Sequence, residues 1–259
     1  MTIAHSLQTA AANAIEANAF LQDPAAQRSA TKPQLRRYEV SSLLPSGAIT
    51  ETRHIAPALP LFEEAFCAFS RGSLVDTASG PVAVEDLLPG DDILTRGGGS
   101  QPLIWIGRTS LLPAQPGSRG RSHRLTSFMA DSLGLQKPAS SLVAGPAARL
   151  LRAPPHLQRA DSSPLLTPVA EFQDGMSIFE TAPPAPVDMY HLCLPRHAAI
   201  NVGGLEFETY HPGPDALKLA SYAIKTLFLN MFAHADSIRD FGPLAYPRAA
   251  GKKPGGAVL

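Results

Sequence analysis

Cysteine and histidine are the residue types in this sequence that could carry nucleophilic or acid–base chemistry. The two cysteines are Cys67 and Cys193, and a cysteine attacks well only as its thiolate. His156 follows two prolines, which disfavour helix and deliver the imidazole on a rigid bend. Cys67 with His156 could serve an ordinary cysteine hydrolase. This interpretation is the weakest of those considered, because no glycine-rich oxyanion element and no helix-start cysteine accompany the pair.

The same residue types also have structural interpretations. His191, Cys193 and His197 have a spacing that could hold a metal ion, but the second ligand pair of a zinc site is missing, so we predict no metal and no cofactor. Cys67 could be a small buried hydrophobic residue, as free cysteines commonly are. His156 could be a loop histidine bonded to the backbone, and His197 could be a structural histidine.

The charge balance restricts the class of partner. Lysine and arginine together number 22, and aspartate and glutamate together also number 22, with no basic block. Nucleic acid and anionic membranes are therefore not expected as partners, while a protein partner stays open. No apolar run approaches 18 residues and no secretory signal is visible, so the expected location is cytoplasmic by default.

Turn residues divide the sequence into many short elements. The 20 glycines and 25 prolines are spread between short apolar runs, which predicts a mainly β protein. Residues 45–47 and the Gly203-Gly204 pair predict hairpin turns. Alternation over residues 190–194 predicts a strand, and apolar residues spaced by three and four over residues 217–231 predict an amphipathic helix that begins near Asp215.

Four segments in this order resemble a known module. They read FSRGSLVDTASGPVAVEDLLPGDDILT, PLIWIG, GPAARLLRAPPH and YHLCLPRHAAINVGGLEFETYHPG, and they lie within residues 66–213. The pattern resembles the Hint domain, the self-processing module of hedgehog C-terminal regions and inteins, and in particular its bacterial Hint-2 branch. The resemblance implies an all-β, horseshoe-like fold with a processing centre in a cleft between the first and last strands.

The resemblance also implies roles for three residues. Cys67 would attack the carbonyl of Phe66 in an N-to-S acyl shift, with the chain's own N-terminal segment as the intramolecular substrate. His156 matches the family's middle histidine, which protonates the departing nitrogen as a general acid. His197 matches a polar position that supports the reaction. The expected activity is a single self-cleavage at Phe66–Cys67.

Three departures from the family pattern favour a second interpretation. The family reads Cys-Phe-x-x-Gly, but here Phe69 and Gly72 place the nucleophile column on Ala68, one residue after Cys67. The hydroxyl expected three residues before the histidine is replaced by Ala153. The His-Asn pair that ends an intein is absent, so splicing is not expected. The alternative function is a catalytically silent Hint scaffold that acts as a structural or protein-interaction module.

The expected organisation has three parts. Residues 1–65 are an N-terminal extension, with a weak helix or arm over residues 1–30 followed by a hairpin. Residues 66–213 are the Hint-like domain. Residues 214–259 carry the C-terminal helix and a tail.

Overall fold

The structure of the chain is a computed structural model that describes residues 34–113, 124–157 and 163–249. The expected helix or arm over residues 1–30 lies outside the described residues. Within them there are sixteen strands and two α-helices. The strands, in chain order, are β1 (Leu35–Leu43), β2 (Ile49–Pro57), β3 (Phe69–Ser70), β4 (Leu74–Thr77), β5 (Gly80–Ala83), β6 (Asp92–Thr95), β7 (Gly99–Pro102), β8 (Trp105–Leu111), β9 (Leu125–Phe128), β10 (Leu142–Ala144), β11 (Arg149–Leu151), β12 (Leu166–Pro168), β13 (Ile178–Thr181), β14 (Val187–Cys193), β15 (Ala199–Val202) and β16 (Leu205–Glu208).

The strands form two antiparallel sheets. The first has the order β13-β9-β10-β3-β14-β8-β1-β2. The second has the order β12-β11-β16-β15-β4-β6-β7, with β5 paired to β4. The prediction of a mainly β protein is therefore confirmed.

The hairpin predicted at residues 45–47 joins β1 and β2. Gly47 has a positive φ of 83°, which a glycine adopts without strain, and its N–H donates to the Leu44 carbonyl at 2.9 Å. β1 also pairs with β8, so that Tyr38 lies opposite Thr109. The hairpin is thus continuous with the first sheet.

The main core lies between the two sheets. It contains Phe69 and Phe128 of the first sheet together with Ile93 and Phe207 of the second. The alternation predicted for residues 190–194 is observed in β14. Tyr190, Leu192 and Leu194 join this core, whereas Cys193 faces the other way.

A second apolar cluster covers the opposite face of the first sheet. Two helices supply much of it, α1 (Pro60–Phe66) and α2 (Tyr222–Leu229), and they pack with Tyr38 and Trp105 of the sheet. The Trp105 indole N–H donates to the Met231 carbonyl at 2.7 Å and so fixes the chain just after α2. Trp105 of β8 faces this cluster and Ile106 faces the main core, so the first sheet is covered on both faces at this point.

The C-terminal helix begins later than the sequence predicted. Residues 214–219 form turns with i to i+3 hydrogen bonds, such as Lys218 N–H to the Asp215 carbonyl at 3.0 Å. The helix starts at Tyr222 because Ser221 is its N-cap, and the Ser221 hydroxyl accepts from the Ile224 N–H at 3.4 Å. The predicted start near Asp215 is therefore wrong. Ser221, seven residues before the buried Phe228, provides the N-cap instead.

Candidate functional site

Cys67 lies at the C-terminal end of α1. Its backbone N–H completes the last turn of the helix by donating to the Glu63 carbonyl at 2.9 Å. Its side chain belongs to the apolar cluster that covers the first sheet, and the residue is 1% exposed. Burial raises the pKa of the Cys67 thiol far above its usual value, and the nearby Glu63 carboxylate raises it further against a smaller opposing effect of Arg36. The thiol is therefore held in its protonated form.

The chain segment that touches the backbone of Cys67 and Ala68 follows β10. Gly145 N–H donates to the Ala68 carbonyl at 2.8 Å, and Ala147 N–H donates to the Cys67 carbonyl at 3.1 Å. A side chain at Gly145 would overlap the Cys67 carbonyl, so this close approach requires glycine. The four residues 145–148 read Gly-Pro-Ala-Ala, and none of their side chains can donate or accept a proton.

His156 lies in a short 3-10 helix, Pro155–Leu157, beyond the end of β11 in the second sheet. Its side chain is 54% exposed, and Nε2 lies 3.4 Å from a Glu171 carboxylate oxygen. In the described part of the chain, no hydrogen bond or ion pair joins His156 to Cys67. His156 therefore lies at the surface near Glu171 and not beside the thiol.

His197 is buried, and both of its ring nitrogens are engaged. Nδ1 accepts the Ala245 N–H at 2.9 Å, so Nε2 carries the proton and donates to Glu208 Oε1 at 2.8 Å. Its side chain is 1% exposed. His197 thus connects β16 to the C-terminal segment, and it makes no bond with Cys67 or His156 in the described residues.

A polar pocket that the sequence did not predict surrounds Glu208. It is a small pocket that is partly open to solvent. The Glu208 carboxylate accepts from Arg248 Nε at 2.7 Å, and its second oxygen lies 3.4 Å from Arg149 Nε. Burial by itself would raise the pKa of Glu208, but the hydrogen bonds from His197 and Arg248 and the charge of Arg248 outweigh it and leave the pKa lowered. Glu208 is therefore a buried, ionised carboxylate.

His191 lines the same pocket and faces α1. It is 4% exposed, and Nδ1–H donates to the Glu64 carbonyl at 3.0 Å. Burial lowers the pKa of His191 to about 4, although the bond to the Glu64 carbonyl acts in the opposite direction. His191 is consequently neutral near pH 7.

No group of three or more histidine, cysteine, aspartate or glutamate side chains is arranged to hold a metal ion within residues 34–113, 124–157 and 163–249. Over the same residues, no helix is long and apolar enough to cross a membrane. Cys67 and Cys193 are both free thiols.

Comparison with protein families matches residues 67–214 to the family described as Hint domain. This range is more than half of the chain. The chain belongs to the Hint-domain family. The mainly β Hint fold predicted from the four segments is therefore confirmed, and the chain belongs to a family of the autoprocessing class.

Among solved structures, the bacterial intein-like domain from Clostridium thermocellum is similar at 12% identity, with a TM-score of 0.40. The match covers 56% of this chain and 99% of that domain. The MchDnaB-1 intein is similar at 15% identity and a TM-score of 0.32, over 55% of this chain and 98% of the intein. Among curated proteins, none matches the chain.

Proposed function

We propose that this chain is a catalytically silent Hint scaffold that acts as a protein-interaction module. The environment of the Phe66–Cys67 peptide bond carries this proposal. An N-to-S acyl shift needs a thiolate that attacks the Phe66 carbonyl and a donor that protonates the departing nitrogen. The Cys67 thiol is buried and protonated, and the Cys67 N–H is already bonded to the Glu63 carbonyl.

In the described part of the chain, the proton donors that the resemblance suggested are bonded elsewhere. The segment that contacts Cys67 and Ala68 is Gly-Pro-Ala-Ala, and the two histidines that the sequence offered have other partners. His156 is near Glu171, and His197 lies between Glu208 and the Ala245 amide. General acid catalysis needs a group within hydrogen-bond reach of the reacting atom. We therefore propose that neither His156 nor His197 takes part in a reaction at this bond.

Self-cleavage is the competing function, and one feature favours it. Cys67 directly follows the carbonyl that it would attack, so thiol and acyl group are adjacent without any binding step. Proximity alone does not ionise the thiol, however, and burial opposes ionisation.

The intact mass of the purified full-length chain tests the two functions. We expect one species of full mass, with and without dithiothreitol or hydroxylamine, and the same result for Cys67→Ala and His156→Ala. Either reagent would cleave a thioester if one formed, and would so release the N-terminal fragment. A 66-residue fragment in the unmodified chain that disappears in Cys67→Ala would establish self-cleavage and overturn the proposal.

A further inference from the structure

The last described residues of the chain lie along the edge of the second sheet. We use the name C-terminal strap for residues 242–249. β12 is the outermost strand of that sheet. The strap lies along the outer edge of β12 and is joined to it by two backbone hydrogen bonds. Leu166 N–H donates to the Pro247 carbonyl at 2.9 Å, and Ala249 N–H donates to the Leu166 carbonyl at 2.8 Å. The strap therefore lies in register as a short parallel addition to β12.

The strap places one cationic side chain in the polar pocket. Arg248 Nε donates to Glu208 Oε1 at 2.7 Å, and Nη2 donates to the carbonyl of His211 at 2.6 Å. We call this acceptor pair, the Glu208 carboxylate and the His211 carbonyl, the Glu208 socket. A guanidinium suits it because one planar group reaches both acceptors at once.

The Glu208 socket is built by residues outside the strap. His197 Nε2 donates to the Glu208 carboxylate, and Arg149 lies 3.4 Å from its other oxygen. A carboxylate that is 4% exposed is costly to leave without its full set of partners. When Arg248 leaves, the socket therefore favours the entry of another cation.

The strap itself is held mostly by polar contacts. None of residues 242–249 is fully buried, and the apolar contribution comes from Tyr246, which packs on a small cluster of Leu151, Leu166 and Ala199. A His211 hydrogen bond to the Gly242 carbonyl at 2.9 Å fixes its start. Segments with few buried apolar contacts open at low free energy, so the strap can be exchanged for a competitor.

We propose that the β12 edge and the Glu208 socket together form a docking site for an extended, arginine-bearing peptide of another protein. The strap occupies this site in cis. The peptide would add to the edge of β12 through its backbone and insert its guanidinium beside Glu208. When a strand is added to a sheet, the backbone hydrogen bonds supply affinity and the side-chain pocket supplies specificity. This inference rests on the protein-interaction role proposed above and names its site.

A peptide that copies the strap is the probe. The sequence Ala-Tyr-Pro-Arg-Ala-Ala, which is that of residues 245–250, carries a fluorescent label and is titrated with the full-length chain. We expect Arg248→Ala to bind it at least tenfold more tightly than the unmodified chain, because the competing guanidinium is gone. The control peptide carries citrulline, which has nearly the same shape without the charge, and we expect at least a tenfold loss of affinity.

Three outcomes would overturn the proposal. The first is that the arginine and citrulline peptides bind equally well, and the second is that folded Arg248→Ala does not bind the peptide. The third is that the unmodified chain forms a dimer that Arg248→Ala abolishes, which would assign the site to a second copy. If Arg248→Ala does not fold, the unmodified chain with excess peptide must still prefer arginine over citrulline. The intact mass is recorded on the same samples, so a failure of docking is distinguished from a failure of the silent-scaffold proposal.

Discussion

Cys67 and Glu208 are both buried groups that can ionise, but their surroundings act in opposite directions. Cys67 is enclosed by apolar side chains, and burial favours its neutral thiol. Glu208 is also buried, yet hydrogen bonds from His197 and Arg248 and the charge of Arg248 keep it ionised. At the scale of single residues, the surroundings of Glu208 thus keep a buried carboxylate ionised, whereas those of Cys67 keep a buried thiol neutral.

His191 should make the folded chain sensitive to acid. Its pKa is about 4 in the folded state and about 6.5 in an unfolded chain. Above pH 6.5 both states hold a neutral ring, so pH has no effect through this group. Below pH 6.5 the unfolded chain binds a proton that the folded chain excludes. The contribution of His191 to the free energy of unfolding should therefore fall by about 1.4 kcal/mol per pH unit between pH 6.5 and 4.

Urea unfolding at pH 7.5 and 5.0 checks this contribution. We expect His191→Asn to lose about 2 kcal/mol less stability than the unmodified chain between these two pH values, because asparagine does not titrate. At pH 7.5 the variant should itself be less stable by about 1–2 kcal/mol, since the bond to the Glu64 carbonyl is disturbed. An equal pH dependence in the two proteins would contradict the assignment to His191.

Residue types alone pointed to Cys67, His156 and His197, but not to Glu208. Strand alternation would place Glu208 on the same solvent-facing side as Glu206, whereas β16 buries Phe207 and Glu208 in succession. The cation that makes this possible is Arg248, which lies 40 residues further along the chain. Such a pairing depends on where the strap runs, and no local pattern encodes that path.

At the scale of elements, the two helices cover one face of the first sheet by packing on each other. Phe62 of α1 and Phe228 of α2 have ring centroids 6.0 Å apart, and Phe228 lies 5.0 Å from Phe232. Phe62 and Phe228 are both fully buried. The other side of α2 carries Tyr222, which is 85% exposed. The helix therefore contributes stability through one face.

Substitution of one residue on each face of α2 tests this arrangement. We expect Phe228→Ala to lower the free energy of unfolding by about 3–5 kcal/mol, through lost burial and the cavity left behind. Tyr222→Ala on the same helix is the matched control and should change it by less than about 0.5 kcal/mol. Urea unfolding followed by circular dichroism measures both. Equal effects of the two variants would mean that α2 does not pack as described.

The elements themselves were largely predictable because their signals are local. The turn at Gly47, the alternation of β14 and the apolar spacing around Phe228 each require only a few neighbouring residues. The start of α2 was not predicted correctly, since the N-cap at Ser221 competed with a cap-like residue at Asp215. Which strands become neighbours is settled by distant partners, as where β1 pairs with β8.

At the scale of the whole molecule, the segment before Cys67 is part of the first sheet and its covering cluster. β1 pairs with β8, and the Tyr38 ring lies 4.6 Å from that of Phe66. Phe66 in turn packs against Trp105 with ring centroids 5.3 Å apart. A chain that lacked residues 1–66 would expose the edge of β8 and a large apolar surface, both of which promote aggregation.

A split chain tests this dependence. We expect residues 67–259 expressed alone to be insoluble, and residues 1–66 and 67–259 expressed together to purify as a one-to-one complex, because the interface reproduces a sheet pairing and an apolar core. Carrying Tyr38→Ala and Phe62→Ala in the shorter piece should reduce recovery of the complex, since both side chains are fully buried. The measurement is the mass and stoichiometry of the soluble fraction after size-exclusion chromatography. If residues 67–259 alone were soluble and unfolded at the same temperature as the full chain, the N-terminal segment would be separable cargo, and Hint-type release of it would leave a stable domain behind.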